Sequence, residues 1–265
     1  EQADKKLAAA HKRSRFSQSF DAGPVAISFI SDQHIAPGTA CDFRRMREDA
    51  NLIRETPGLY ACLAGDGVDN HLKIRSAVLG AQSTPGEQWE LFDYYLGLFA
   101  EKILVVCSGN HDAWTVQFAG TDMLKVIAQA NRVRYCPAAA RITIKVEEQV
   151  YSLAFRHQYR YNSNFNQTHC VKQWFRMGEE SFDVGVIGHH HEAAIEAFLA
   201  QGAVRWAARA RSYQITTPYT DQYGFNKAKP TCPTFILFGG EEKRIIGFWD
   251  VRDAVIMLKA LRGGT

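Results

Sequence analysis

At 265 residues, with 46% hydrophobic and 12% aromatic side chains, the chain is long enough to bury a large core and fits one large α/β domain. Its net charge of +3 is too weak for a dedicated duplex-DNA binder, though it permits an anionic substrate. No apolar run approaches the ~20 residues of a membrane span, so no membrane partner is expected.

Residues 1–20, which include "HKRSR", read as a basic N-terminal tail or helix, solvated and without the apolar core of a signal peptide. Residues 21–265 read as a single domain. Strand-like runs fall at 25–31, 59–65 and 102–109. Between them lie helical patterns. "CDFRRMREDANLIRETPG" is stopped by Pro57-Gly58, "PGEQWELFDYYLGLFAEK" follows, and "TDMLKVIAQAN" offers Thr121 as an N-cap. Further strand-like runs fall at 141–146, 150–157, 184–188, 234–240 and 244–250, with a helix around "QTHCVKQWFRMGEE". The first half alternates strand and helix, and the second is richer in strands. Residues 216–233 read as a long irregular loop of the kind that often carries function.

The six cysteines, Cys41, Cys62, Cys107, Cys136, Cys170 and Cys232, form no C-x-x-C pair. They read as reduced thiols, and a cytoplasmic location is expected.

Metal-competent residues gather just past five strand ends: Asp32 and His34; Asp66 and Asp69; Asn110, His111 and Asp112; His157; and the row His189, His190 and His191. Ligands of α/β sheets collect at that edge. Taken singly, each piece has a plainer reading as a turn, a cap, a solvated row or a core histidine. Together they point to metal. Residues two apart in extended chain project to one side, so Asp32 with His34, and His189 with His191, would each grip one cluster. His190 would then face substrate or solvent. "HEAAI" is no zinc-protease helix, because Ile195 stands where a second histidine is needed. No serine elbow or phosphate loop is present.

In order, "DQH", "GDGVD", "GNHD", His157 and "GHHH" resemble the calcineurin-like metallophosphoesterases, whose pattern is D-x-H, G-D-x-x-D, G-N-H-D/E, a lone H and G-H-x-H. The blocks span residues 32–191, and His169 is the fallback for the lone histidine. The resemblance implies an α/β fold: a four-layer αββα sandwich of two mixed sheets flanked by helices, with the metal site at the strand ends. It implies two divalent or trivalent ions. One would take Asp32, His34, Asp66 and His191; the other Asp66, Asn110, His157 and His189. Manganese is favoured in vitro, with iron or zinc also suited to this donor set. Such a pair clamps a phosphoryl group and generates a bridging hydroxide that attacks phosphorus in line. By the same resemblance His111 protonates the leaving-group oxygen. Asp69 orients that ring and favours its charged form, and Asp112 is structural.

The substrate class follows less directly. Protein phosphatases of this superfamily carry an arginine where this chain has Asn70, and a phosphomonoester dianion gains most from such a clamp. A phosphodiester is therefore expected, a cyclic nucleotide or other nucleotide diester. A DNA or RNA nuclease and a broad phosphatase are the alternatives, and a non-catalytic scaffold ranks below them. "FRHQYRYNSNFN" and the short chain resemble compact members found in bacteria and their phages. Arg156, Arg160 and His190 are candidates for phosphate contact, and Tyr213, Tyr219 and Tyr223 for base stacking. Trp174, Phe175 and Trp206 are candidates for an interface.

Overall fold

The computed structural model describes residues 14–36, 41–71, 83–178, 181–215 and 232–263. Two six-stranded sheets face each other. One runs β1 (Arg15–Phe20), β6 (Ala139–Val146), β7 (Gln149–Arg156), β8 (Val184–Ile187), β10 (Ala203–Arg209) and β9 (Ala194–Ala200). The other runs β12 (Ile245–Phe248), β11 (Thr234–Leu237), β2 (Val25–Ile30), β3 (Leu59–Leu63), β4 (Ile103–Cys107) and β5 (Tyr135–Cys136). Both are mixed. In the second, β2, β3, β4 and β5 are parallel and β11 pairs antiparallel with both β2 and the edge strand β12. In the first, β6–β7 and β9–β10 are antiparallel while the other pairs are parallel.

Strand chemistry explains the layering. β6 alternates, with Ala140, Ile142, Ile144 and Val146 buried between the sheets and Arg141, Thr143 and Lys145 on the other face. They meet Ile27, Phe29 and Val105 of the opposite sheet. β2 is buried along its whole length, as a strand covered on both faces must be. The outer face of its sheet lies under α1 (Phe43–Glu55), α2 (Pro85–Gly97), α4 (Met123–Ala130) and α6 (Val251–Leu261), through Met46, Ile53, Phe92, Ile127 and Leu258. The other sheet is covered by α5 (His169–Met177) through Val171, Trp174 and Phe175. Helices, sheet, sheet and helix make the expected four layers.

Several local expectations need correction. Arg15–Phe20, assigned to the tail, form a strand parallel to β6. Asp122, not Thr121, caps α4, its Oδ1 accepting from the Lys125 amide. Trp174 and Phe175 are 5% and 7% exposed, so they serve the core and offer no interface. The β9–β10 hairpin was not expected. Its alanines suggest no strand, yet Gln201 and Gly202, with φ of 51° and 72°, make the two-residue turn that joins twisted strands. All six cysteines are buried free thiols. Among the described residues no helix is long and apolar enough to cross a membrane. Tyr219, Tyr223 and most of the 216–233 loop lie outside the described residues.

Candidate metal centre

The parallel pairing of β2 with β3 continues past the strand ends. The amides of Asp32, His34 and Ile35 donate to the carbonyls of Gly65, Asp66 and Gly67 at 2.9, 3.1 and 3.0 Å. This lacing holds "DQH" against "GDGVD". The third block enters where α3 (Asn110–Ala119) starts immediately after β4, presenting Asn110 and His111 in its first turn. Asp112 fastens it: its carboxylate accepts from the amides of Asp66, Gly67 and Gly109 at 2.8, 3.0 and 2.8 Å. That is the structural role expected of it. His157 follows β7, and His189 to His191 follow β8.

Two groups of ligand atoms result, each converging within 4.8 Å: Asp32, His34 and His191; and Asp66, His157 and His189. In the first, His191 Nε2 lies 3.1 Å from His34 Nε2 and 3.3 Å from Asp32 Oδ1. In the second, His157 Nε2 lies 3.0 Å from Asp66 Oδ2, 3.0 Å from Asn110 Oδ1 and 3.1 Å from His189 Nδ1. Asp66 Oδ2 is also 3.9 Å from His34 Nε2, and Asp32 Oδ1 is 4.0 Å from His157 Nε2. Both carboxylates thus stand between the groups. His169, the fallback, starts α5 and belongs to neither.

The pairing rule behind this expectation is corrected. His189 and His191 do not share a cluster; each joins a different one. Nor are these residues extended. Asp32, His34, Asp66, His189 and His191 all have left-handed backbone, with φ of 52°, 46°, 55°, 73° and 57°. Tight αL turns, not an extended strand, aim these ligands.

The donor set suits a cation. His157 Nδ1 donates to the Ala64 carbonyl at 3.0 Å, so in the neutral ring Nε2 is a bare lone pair. It faces two carboxyl or amide oxygens and another imidazole. Asp32 spends Oδ2 on the Ser31 hydroxyl and the His189 amide, at 2.6 and 2.9 Å. Its Oδ1 is buried without a hydrogen bond, aimed at the histidines. Such convergence of lone pairs calls for a positive charge, either a metal ion or protons. These groups fit a metal-dependent hydrolase of divalent-cation type.

Without metal, protons must serve. Burial lowers the His157 pKa, but Asp66 and Asp32 outweigh it and raise the ring to about 9. Burial pushes the His111 and His190 rings down to about 4, helped by His34 and Arg209 respectively. The His111 and His190 contributions are complete above about pH 6.5, the unfolded histidine value. The His157 contribution is complete below that value and is lost as pH rises through about 9. The metal-free protein is therefore expected to lose thermal stability from pH 7 to 9, and His157→Gln to flatten that slope. Melts in chelator across this range check it.

Close approach of backbone is a second requirement. A Cβ on Gly109 would overlap the Asp66 carboxylate and amide, with Asp66 Cγ 2.8 Å away. Gly109→Ala is expected to destabilise by roughly 3 kcal/mol and to displace Asp66, read as a lowered melting midpoint with lost cation uptake.

His111 is held on three sides. Its amide donates to Asp66 Oδ1 at 2.9 Å and its Nδ1 meets the Asp69 carbonyl at 2.7 Å. The ring stacks on Trp114 at 4.1 Å between centroids and meets the edge of His34 at 4.7 Å. Nε2 is left 4.0 Å from Asp66 Oδ2. The expected Asp69–His111 pairing is therefore corrected: the backbone carbonyl, not the carboxylate, orients the ring. Burial and His34 outweigh Asp66 and Asp69, which favour its charged form. The Asp69 carboxylate instead bonds His34 Nδ1 at 2.7 Å.

The remaining candidates sit apart from the two groups. Arg160 is exposed, lying over the rings of Tyr161 and Tyr159 at 4.9 and 5.9 Å. Arg156 stacks over Tyr159 and Trp174. His190 joins neither group; its ring lies 5.0 Å from that of His189 and near the buried Arg209. Tyr213 is fully buried, its hydroxyl donating to Asp49 at 2.9 Å, so it stacks on no base. Sequence reasoning missed His71, whose Nε2 reaches Asp69 Oδ2 at 3.1 Å. The signal was there: "DNH" repeats the spacing of "DQH".

No family model matches the chain, and no curated protein does. Among solved structures, 73 chains match. Protein TT1561 of Thermus thermophilus is 9% identical over 73% of this chain and 92% of its own, with a TM-score of 0.46. The calcineurin-like phosphoesterase YfkN of Bacillus subtilis is 11% identical over 90% and 96%, with a TM-score of 0.43. A metallophosphoesterase of Sphaerobacter thermophilus is 14% identical over 91% and 95%, at 0.40. Identities and scores this low carry no argument about chemistry, which rests on the residues themselves. In its ordered ligand blocks and its two-sheet sandwich, this chain is similar to the calcineurin-like metallophosphoesterases.

Proposed function

We propose that the protein is a two-metal phosphodiesterase acting on a nucleotide or cyclic-nucleotide diester. The observation that carries the choice of diester is the placement of Asn70. Its side-chain amide is buried and donates to the His111 carbonyl at 2.6 Å and Thr115 Oγ1 at 2.8 Å. Position 70 therefore braces the α3 turn and offers no grip to a phosphate dianion. A diester carries one charge and needs that grip less.

Asp32, His34, Asp66 and His191 would hold one ion, and Asp66, Asn110, His157 and His189 the other, with manganese the favoured choice and iron or zinc suited as well. When bound, such ions supply Lewis acidity toward the phosphoryl group and acidify water enough to make a nucleophile near neutral pH. His111 works beside them. With Nδ1 occupied by the Asp69 carbonyl and its plane fixed by Trp114, it has only Nε2 to offer a leaving-group oxygen. A nearby phosphate anion raises its affinity for the proton it must give.

The test is paired hydrolysis by metal-stripped protein reloaded with manganese, comparing bis(p-nitrophenyl) phosphate with p-nitrophenyl phosphate. Metal-dependent turnover that favours the diester is expected. Preference for the monoester makes the protein a phosphatase and sinks the argument from Asn70. Single-stranded DNA and cyclic nucleotides, assayed next, separate a nuclease from a small-molecule diesterase.

A further inference from the structure

His34 can serve a cation at the first group only through Nε2, the atom facing His191 and Asp32. A neutral ring that ligates through Nε2 carries its proton on Nδ1 and needs an acceptor there. Asp69 Oδ1 is that acceptor, at 2.7 Å. Yet a carboxylate in this position is ambiguous. His34, Asp69 and His111 form a third group whose ligand atoms lie within 4.8 Å of one another. A cation captured there would enlist Asp69 as a ligand and strip His34 of its acceptor.

His71 removes the ambiguity. Its Nε2 lies 3.1 Å from the second oxygen, Asp69 Oδ2, while its Nδ1 is buried without a partner, so the proton belongs on Nε2 and both carboxylate oxygens face a histidine nitrogen. The Asp69 carboxylate is 3% exposed, leaving little room for water to take either place. His71, at 21%, closes the cluster on its solvent side.

We propose that His71 is a positioning residue for the metal centre: it pins the Asp69 carboxylate against His34 Nδ1, and so directs the cation to Asp32, His34 and His191 instead of His34, Asp69 and His111. The proposal rests on the two-metal reading above but not on the choice of ester. His71 touches no ligand directly; it acts through Asp69, as an outer hydrogen-bond partner that orients a ligating histidine.

The experiment is manganese uptake by metal-free protein, followed by calorimetry for wild type, His71→Leu, His71→Gln and His71→Asn. Wild type is expected to take two equivalents. His71→Leu keeps the volume and loses the donor, and should weaken one equivalent by about 10–100-fold while leaving the other unchanged. His71→Gln can still donate to Asp69 and should keep near-wild-type affinity, whereas the shorter His71→Asn should not. The Gln and Asn pair decides the matter if the leucine variant does not fold. Wild-type affinity in both His71→Leu and His71→Asn overturns the proposal, as does equal weakening in the Gln and Asn proteins. Wild type that takes up no manganese overturns the two-metal reading itself, a distinct result.

Discussion

Asp66→Ala is expected to remove both cations together and to lower diester turnover by at least about 10³-fold, some 4 kcal/mol of barrier. Asp66 Oδ2 lies 3.0 Å from His157 Nε2 and 3.9 Å from His34 Nε2, so one oxygen addresses both groups. Removing it leaves each group short of a negative charge at its shared edge. The fold should survive. The Asp66 amide still donates to Asp112, and its carbonyl still accepts from the His34 amide, because neither bond uses the side chain. The loss is the acceptor for the His111 amide, a penalty of about 1–3 kcal/mol if no water replaces it. Metal content and melting midpoint, measured on one preparation, check both halves. A variant that keeps one tight equivalent would show that Asp66 serves a single ion.

His111→Ala should do the reverse, keeping both cations and losing turnover. The loss should depend on the leaving group. For an alkoxide, which must take a proton, a drop of about 10²–10⁴-fold is expected. For p-nitrophenolate, which leaves without one, the drop should be small. An equal loss on both esters would give the ring a different task, binding the phosphoryl oxygen. Metal retention follows because His111 enters neither group that joins Asp32 or Asp66 to its histidines. Trp114 stacks on the same ring, so His111→Ala also opens a gap beside a residue only 8% exposed. A melt must accompany the kinetics.

Much of this was legible in the sequence because strand ends and ligands coincide. A run such as "VGVIGHHH" states the strand, its end and the donors within eight letters. All seven expected ligand positions converge, while the four layers were implied by the resemblance and could not be told by periodicity from a single doubly wound sheet. What escaped was orientation. Spacing two apart says that side chains come close in an extended strand, but left-handed turns redirect them, so His189 and His191 part company as the resemblance implied and the spacing did not. Asp69 presents two acceptors, its carbonyl and its carboxylate, and no one-dimensional pattern tells which serves His111. Hairpin β9–β10 escaped because alanine-rich strands lack the β-branched signature. His71 escaped because the resemblance drew attention to the arginine position beside it, not to a histidine two past Asp69.

The left-handed turns have a consequence for how such a protein changes over generations. Each non-glycine residue held there costs on the order of 1–2 kcal/mol. Five of the candidate ligands carry that cost. At the partly exposed His189, glycine would relieve it at the loss of a contact with His157 Nε2, whereas losing His191 would take from the buried Asp32 Oδ1 the nitrogen it faces at 3.3 Å. A lineage no longer selected for a metal centre would therefore be expected to give up His189 before His191, so decay of the centre has a favoured first step.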